Sequence, residues 1–293
     1  MAFWVLGGGS QPHAQYTGYR DSVPVTNLAY LVLYEARDDS GQHEIPSHYH
    51  DAGLSSTPQR EQTESGYAIK FAPASSLISP DDPDAANYLT DKAAADLVRK
   101  SIKKHKRDSL NSRILKSLIT SSTFEMDDAA LQNLFHAAND IFFSTDLAGR
   151  VAWDWSDPTS PQYQDDIVGT TALKRCARGG WETLIVLSTP VLRNPRYDRR
   201  LLICTFLHEM IHCYLYVKCG PAAGHNNGHT EGFSTIAGLI DDWVGGELLR
   251  LRCLSVDIEY FRVPDGQQTF GSWGEGEHRN TARWHPWERN QRM

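Results

Sequence analysis

His208-Glu209-Met210-Ile211-His212 sets two imidazoles four residues apart with a carboxylate next to the first. On a helix, side chains at this spacing leave the same face one turn apart, so His208 and His212 can converge on one ion. Glu209 lies about 100° further round the axis. There it can act as general base on water that the ion activates, without being a ligand itself. Leu201, Leu202, Ile203, Phe206, Leu207, Ile211 and Leu215 make the surrounding helix apolar almost all round, hence buried. Two histidines and a glutamate without partners are costly in such a place, and a zinc ion relieves that cost. The competing reading is a hydrogen-bonded pair of core histidines.

A hydrolytic zinc site takes three protein ligands and leaves a fourth position open. His225 and His229 both stand near in Gly224-His225-Asn226-Asn227-Gly228-His229-Thr230-Glu231-Gly232-Phe233. By chemistry either can serve. His229, at the start of the next helix, is better held than His225 in the loop before it, and the one not used caps a helix or faces solvent. Cys213 directly follows a ligand and so points about 100° away, toward core packing. His43, His48 and His50 read as a solvated turn more than as a second metal site, and Trp153 and Trp155 as core and strand-edge residues.

These residues need elements to hold them. The spacing predicts a helix from about Tyr197 to Lys218, following Pro195 and stopped by Gly220-Pro221, and another from about Thr230 to Trp243. Upstream, Leu131, Leu134, Phe135, Ala138, Ile141 and Phe142 form one stripe of a helix over Asp127 to Phe143, capped by Asp127 or Asp128. Apolar residues recurring every four positions predict one or two amphipathic helices between Tyr88 and about Thr120. Val151, Trp153 and Trp155 alternate as in a strand, Ile167 to Lys174 is a second, and Thr183 to Leu187 a third. In residues 1 to 86, rich in Gly, Ser, Pro, Asp and His, only Asn27 to Glu35 and Tyr67 to Phe71 read as strands, and the segment is expected to be mostly irregular. No fold is assigned to the polar, Trp-containing tail.

From about Leu131 to Tyr260 the chain resembles the SprT-like metallopeptidase family, the family of Spartan-type proteases. The matching features are Asn139-Asp140-Ile141-Phe142-Phe143 ending a helix, the Trp-containing strand Val151 to Ser156, Thr183 to Ser188 leading into Pro190-Val191-Leu192, the segment Leu207 to Leu215 around the histidines, and Gly228-His229-x-x-x-Phe233. The resemblance implies a zinc metalloendopeptidase with His229 as the third ligand. It also implies action on DNA-associated or crosslinked proteins. No paired cysteines for a zinc ribbon follow residue 219, and no ubiquitin-binding finger is recognised in the tail. The expected fold is α+β and zincin-like: a few-stranded sheet flanked by helices, with the His208 to His212 helix buried beneath a cleft. The sheet's edge strand is expected to line that cleft, where an extended substrate adds as a further strand. The division reads as an irregular extension over 1–86, a basic helical segment over 87–122, the metallopeptidase domain over 123–263 and a tail over 264–293.

Composition limits the remaining functions. A formal charge of -7 does not suit a protein that coats nucleic acid, so any basic site must be local. One such site stands out: Arg99, Lys100, Lys103, Lys104, Lys106, Arg107, Arg113 and Lys116 face a single acid, Asp108, a local charge of +7. It reads either as a DNA-binding patch or import signal, or as a solvated helix face. Five cysteines without a C-x-x-C pair suit reduced thiols inside the cell, nuclear or cytoplasmic. The opening MAFWVLGGGSQPH lacks the basic start and apolar length of a signal peptide, and no apolar run approaches a membrane span. The expected partner is a protein or peptide substrate.

Overall fold

In the computed structural model the alternating runs of the sequence become strands β1 (Tyr30–Tyr34), β2 (Glu61–Gln62), β3 (Ala68–Pro73), β4 (Val151–Trp155), β5 (Gly169–Arg175) and β6 (Trp181–Leu187). The apolar stripes become helices α1 (Asp91–Lys104), α2 (Leu110–Thr120), α3 (Asp128–Phe143), α4 (Thr189–Leu192), α5 (Arg199–Cys219) and α6 (Glu231–Val244). The structure describes residues 29–34, 61–73, 82–105, 108–120, 126–163, 167–246, 248–253 and 258–263. The helix starts are where the sequence puts them: Asp127 caps α3 by accepting from Ala130 N at 2.7 Å. Asp198 likewise caps α5 through Arg200 N at 2.7 Å, and Thr230 caps α6 through Phe233 N at 3.2 Å. Among the described residues no helix is long and apolar enough to cross a membrane.

The mixed helix and sheet content is α+β, but the sheet is larger than expected. Six strands run in the order β2-β3-β1-β5-β6-β4. β5 and β6 form an antiparallel hairpin, and β4 lies parallel to β6. β1 runs antiparallel to β5 and parallel to β3. Because side chains alternate between faces, each strand serves two cores. Leu173, Trp181, Ile185 and Leu187 face the helices in the main core, with Ile141, Phe142, Phe206, Ile211 and Leu215. Ala172, Leu184 and Val186 face the other way and form a second core with Tyr30, Val32, Ile69 and Tyr163. A bridge between Thr63 and Ser156, and a hydrogen bond from Glu64 N to Trp155 O of 2.9 Å, tie the turn after β2 to the far end of β4. The sheet thus curls almost shut around the second core.

Two expectations change here. The segment 1–86 is not simply an irregular extension: both of its predicted strands join the main sheet, because their alternating apolar sides cover a face of β5 and β6 that water would otherwise meet. Nor does 87–122 stand apart, since Ala94, Ala95, Val98, Leu115 and Ile119 of α1 and α2 are buried in the same core as α3 and α5. The two helices stack on α3, and Ser101 Oγ donates to Ile141 O at 2.8 Å across that contact.

Candidate metal centre

Seventeen of the 21 residues of α5, from Leu201 to Cys219, are buried, as an all-round apolar pattern demands. His208 and His212 project from one face of it, with their Nε2 atoms 3.1 Å apart. The chain leaves α5 at Gly220 and follows the loop Gly220–Gly228, in which Asn226 and Asn227 take left-handed conformations. His229 is then delivered at the threshold of α6, its amide donating to Asn226 O at 3.0 Å. Its Nε2 lies 3.1 Å from that of His208, and the three histidines offer nitrogen atoms all within 4.8 Å of one another. His225 is not part of this group; it is exposed on the loop. Of the two candidates that sequence chemistry left open, the fold brings His229 to the pair.

The donor set fits zinc. Zn–N bonds of about 2.0–2.1 Å in a tetrahedron put ligand nitrogens about 3.3–3.4 Å apart, close to the spacing seen. Burial first, and then the neighbouring His229, pushes the His208 pKa down to about 3. Burial, with His208 and His229 beside it, likewise drives His212 well below the usual range. Burial lowers His229 as well, so all three imidazoles are neutral near pH 7, the form that binds metal. Phe233 lies against all three rings, stacked on His212 at 4.5 Å and edge-on to His208 at 4.7 Å and His229 at 4.9 Å. Its amide is the one that Thr230 caps, so the start of α6 fixes ligand and ring together. The main chain of Leu251 lies near His208 and raises its pKa slightly, without the geometry of a full hydrogen bond to Nδ1. Asp241 holds that main chain by accepting from Leu251 N at 3.0 Å.

Glu209 faces β5. Thr171 Oγ1 donates to Glu209 Oε2 at 2.8 Å and also reaches the Glu209 carbonyl at 3.2 Å. A Cβ on Gly169 would stand 3.2 Å from Glu209 Oε1 and 2.7 Å from Thr205 Cγ2, so only glycine lets the strand come this close to α5. Burial pushes the Glu209 pKa up to about 7, against the lowering effect of the Thr171 hydrogen bond. A carboxyl poised there can both take and return a proton at neutral pH. Cys213 is fully buried, its Sγ 3.8 Å from Thr171 Oγ1, a packing residue as expected. Trp155 Nε1 donates to Asp128 Oδ1 and Trp153 Nε1 to Gln132 Oε1, both at 3.0 Å, which fastens β4 to α3 and keeps both indoles out of the centre. Tyr214 Oη is spent on Ala94 O at 3.2 Å.

The sheet's edge strand was expected to line the cleft, and the strand beside Glu209 is β5. That strand is interior and not an edge, its outer side taken by β1. Thr171, Gly169 and Leu251 also went unremarked in the sequence, where only tertiary contact distinguishes them from other strand and loop residues. His43, His48, His50, Lys106, Arg107 and the tail lie outside the described residues.

A family model described as SprT-like family matches residues 131–252. That span runs from the buried face of α3 through α5 and α6 to Leu251 and Arg252, and contains each residue of the centre. No curated protein and no solved structure matches the chain. Over residues 131–252, less than half of its length, the chain is similar to the SprT-like family.

Proposed function

We propose that the protein is a zinc metallopeptidase that hydrolyses peptide bonds with His208, His212 and His229 as ligands and Glu209 as general base. The observation that carries the reading is the convergence of three neutral imidazoles beside a carboxyl whose pKa burial has raised to about 7. Zinc bound there supplies Lewis acidity, which polarises a carbonyl and acidifies water. Glu209 takes a proton from the attacking water and passes it to the departing amine nitrogen. Thr171 orients that carboxyl, and the close approach of β5 over Gly169 excludes bulk water from it.

The structure's exposed lysines extend the proposal to DNA-associated substrates. Lys100, Lys103 and Lys104 are exposed along α1, and Arg113 on α2. Arg99 is paired with Asp96 in its own helix, and Lys116 lies 5.4 Å from the Trp243 ring, so part of the basic run is committed to packing.

Glu209→Gln tests the peptidase reading, since it keeps shape and hydrogen bonding while removing the base. Zinc measured by elemental analysis should stay near one per chain, and cleavage of an unfolded protein should fall at least about a hundredfold. Undiminished cleavage would remove Glu209 from the mechanism, and a protein purified without zinc would remove the centre.

A further inference from the structure

β1 pairs antiparallel with β5, with Leu31 opposite Leu173 and Val32 opposite Ala172. The next position in that register sets Leu33 beside Thr171, the residue that hydrogen-bonds Glu209. Side chains alternate along β1: Tyr30 and Val32 enter the second core, while Leu33 lies on the helix side against the main core. There Leu33 Cδ1 is 3.7 Å from the position of a Cβ on Gly224, in the loop that ends at His229. One extended strand of this chain therefore runs alongside β5 and against the loop presenting the third histidine, with an apolar side chain beside the threonine that holds the general base. A peptide adding to the edge of β5 needs the same backbone donors and acceptors that β1 now uses. Glu209, at 6% exposure, and His208, at 7%, are enclosed, and the centre meets solvent through His229.

The seam that β1 makes is also the weak one. Its ladder with β5 is two residue pairs long, whereas β5 and β6 share seven and β1 and β3 share five. β1, β3 and β2 thus hold together better than they hold β5. Their other end stays anchored by the Thr63–Ser156 bridge and by Ser65, whose amide and hydroxyl donate to Asp154 at 3.0 and 3.1 Å.

We propose that β1 is an intramolecular stand-in for substrate: it fills the peptide-pairing edge of β5 and the apolar position beside Thr171, and the groove opens to extended polypeptide bearing a bulky apolar residue when β1 swings off β5. The inference rests on the peptidase reading, whose failure the test below separates from its own.

The full chain carries Glu209→Gln, so that nothing is cleaved, together with Val32→Cys and Ala172→Cys. Directly opposed residues of an antiparallel pair stand about 4.5–5.5 Å apart, within reach of a disulfide. A fluorescent peptide with the sequence of residues 27–36 is titrated by polarisation against the oxidised and reduced forms. A separate Glu209→Gln chain with Leu33→Asp, which loosens the half-buried cleft-side contact and leaves the second core intact, gives a reading if the cysteine pair fails to fold. The reduced form and the Leu33→Asp protein should bind at least about tenfold more tightly than the oxidised form and the unaltered Glu209→Gln chain respectively. Equal binding in all forms, or binding in none, overturns the proposal. With Glu209 restored, cleavage of an unfolded protein should follow the redox state of the lock. Peptide binding that follows the lock while no form cleaves would leave the groove standing and reject the peptidase reading.

Discussion

Gly228 holds the ring of His212 in place by having no side chain. Its φ is +80°, and a Cβ built there would stand 2.8 Å from His212 Nδ1 and 2.9 Å from Cε1. Gly228→Ala therefore carries two penalties. The left-handed backbone costs an L-residue about 1–2 kcal/mol, and the collision adds about 1–3 kcal/mol of overpacking, relieved by tilting the imidazole. Gly66 separates them, because its φ is +86° and nothing lies within 4 Å of its Cβ position. Gly66→Ala should lower stability by about 1–2 kcal/mol in urea unfolding and leave zinc affinity unchanged. Gly228→Ala should lose more stability. It should also weaken zinc binding about ten- to a hundredfold in competition with a chromophoric chelator, since each factor of ten is about 1.4 kcal/mol at the ligand. A Gly228→Ala protein with zinc affinity within about threefold of the original, and no less stable than Gly66→Ala, would refute the claim that this contact sets the ligand's position.

Burial pushes the Cys219 thiol up to about 12 and the Cys204 thiol well above its ordinary value. A thiol whose folded pKa is raised contributes stability that is complete below the unfolded pKa of about 8.5 and is lost as pH rises above it, by up to about 1.4 kcal/mol per pH unit for each group. Urea midpoints should fall between pH 8.5 and 10, and the fall should flatten in Cys219→Ala and in Cys204→Ala; an unchanged slope in both would deny the thiols this part. For the basic helices, Lys100, Lys103 and Lys104 changed to Ser should abolish a salt-sensitive affinity for single-stranded or duplex DNA while leaving zinc content intact. Absence of DNA binding by the unaltered protein at low salt would make α1 a solvated face.

Local features of the site were legible because local geometry governs them. An i, i+4 histidine pair on a run that is apolar all round fixes a buried helix, and Asp127, Asp198 and Thr230 start their helices as short polar side chains do. The sequence favoured His229 over His225 by its place at a helix start and by resemblance, and the fold adds the geometry: a turn with two left-handed asparagines brings His229 to the pair and leaves His225 on the loop. The β-type run Asn27 to Glu35 does contain a strand, β1, yet such a run fixes which side chains share a face and not which strand lies alongside. That is why an interior strand beside Glu209 was not foreseen. The contact of Thr171 with Glu209 spans 38 residues, and a threonine in a strand carries no mark of such a partner.

The double service of β1 decides how latency can be tested at all. Deleting residues 1–86 is the obvious way to ask whether the N-terminal part restrains the centre, but it would bare Ala172, Leu184 and Val186, which are now fully buried against Tyr30, Val32 and Ile69. It would also remove Asp82 and Asp84, which bind Arg175, while Tyr88, just past the cut, accepts from Trp181 Nε1 at 2.9 Å and donates to Asp82. At roughly 25 cal/mol per Å² of apolar surface exposed, the loss of that core competes with any gain from opening the groove. Lower activity in the truncated chain would then follow from damage as readily as from a scaffolding role. The two cores lie on opposite faces of the same strands, and this offers the way out. Leu33 belongs to the face of the centre and Val32 to the face of the second core, so a change at Leu33 loosens the β1–β5 seam from one side while the second core loses none of its side chains. If β1 only supports the sheet, Leu33→Asp lowers stability and admits no peptide. If it also stands in for substrate, the same change admits peptide at β5, with Tyr30 and Val32 leaving the second core only as β1 lifts away.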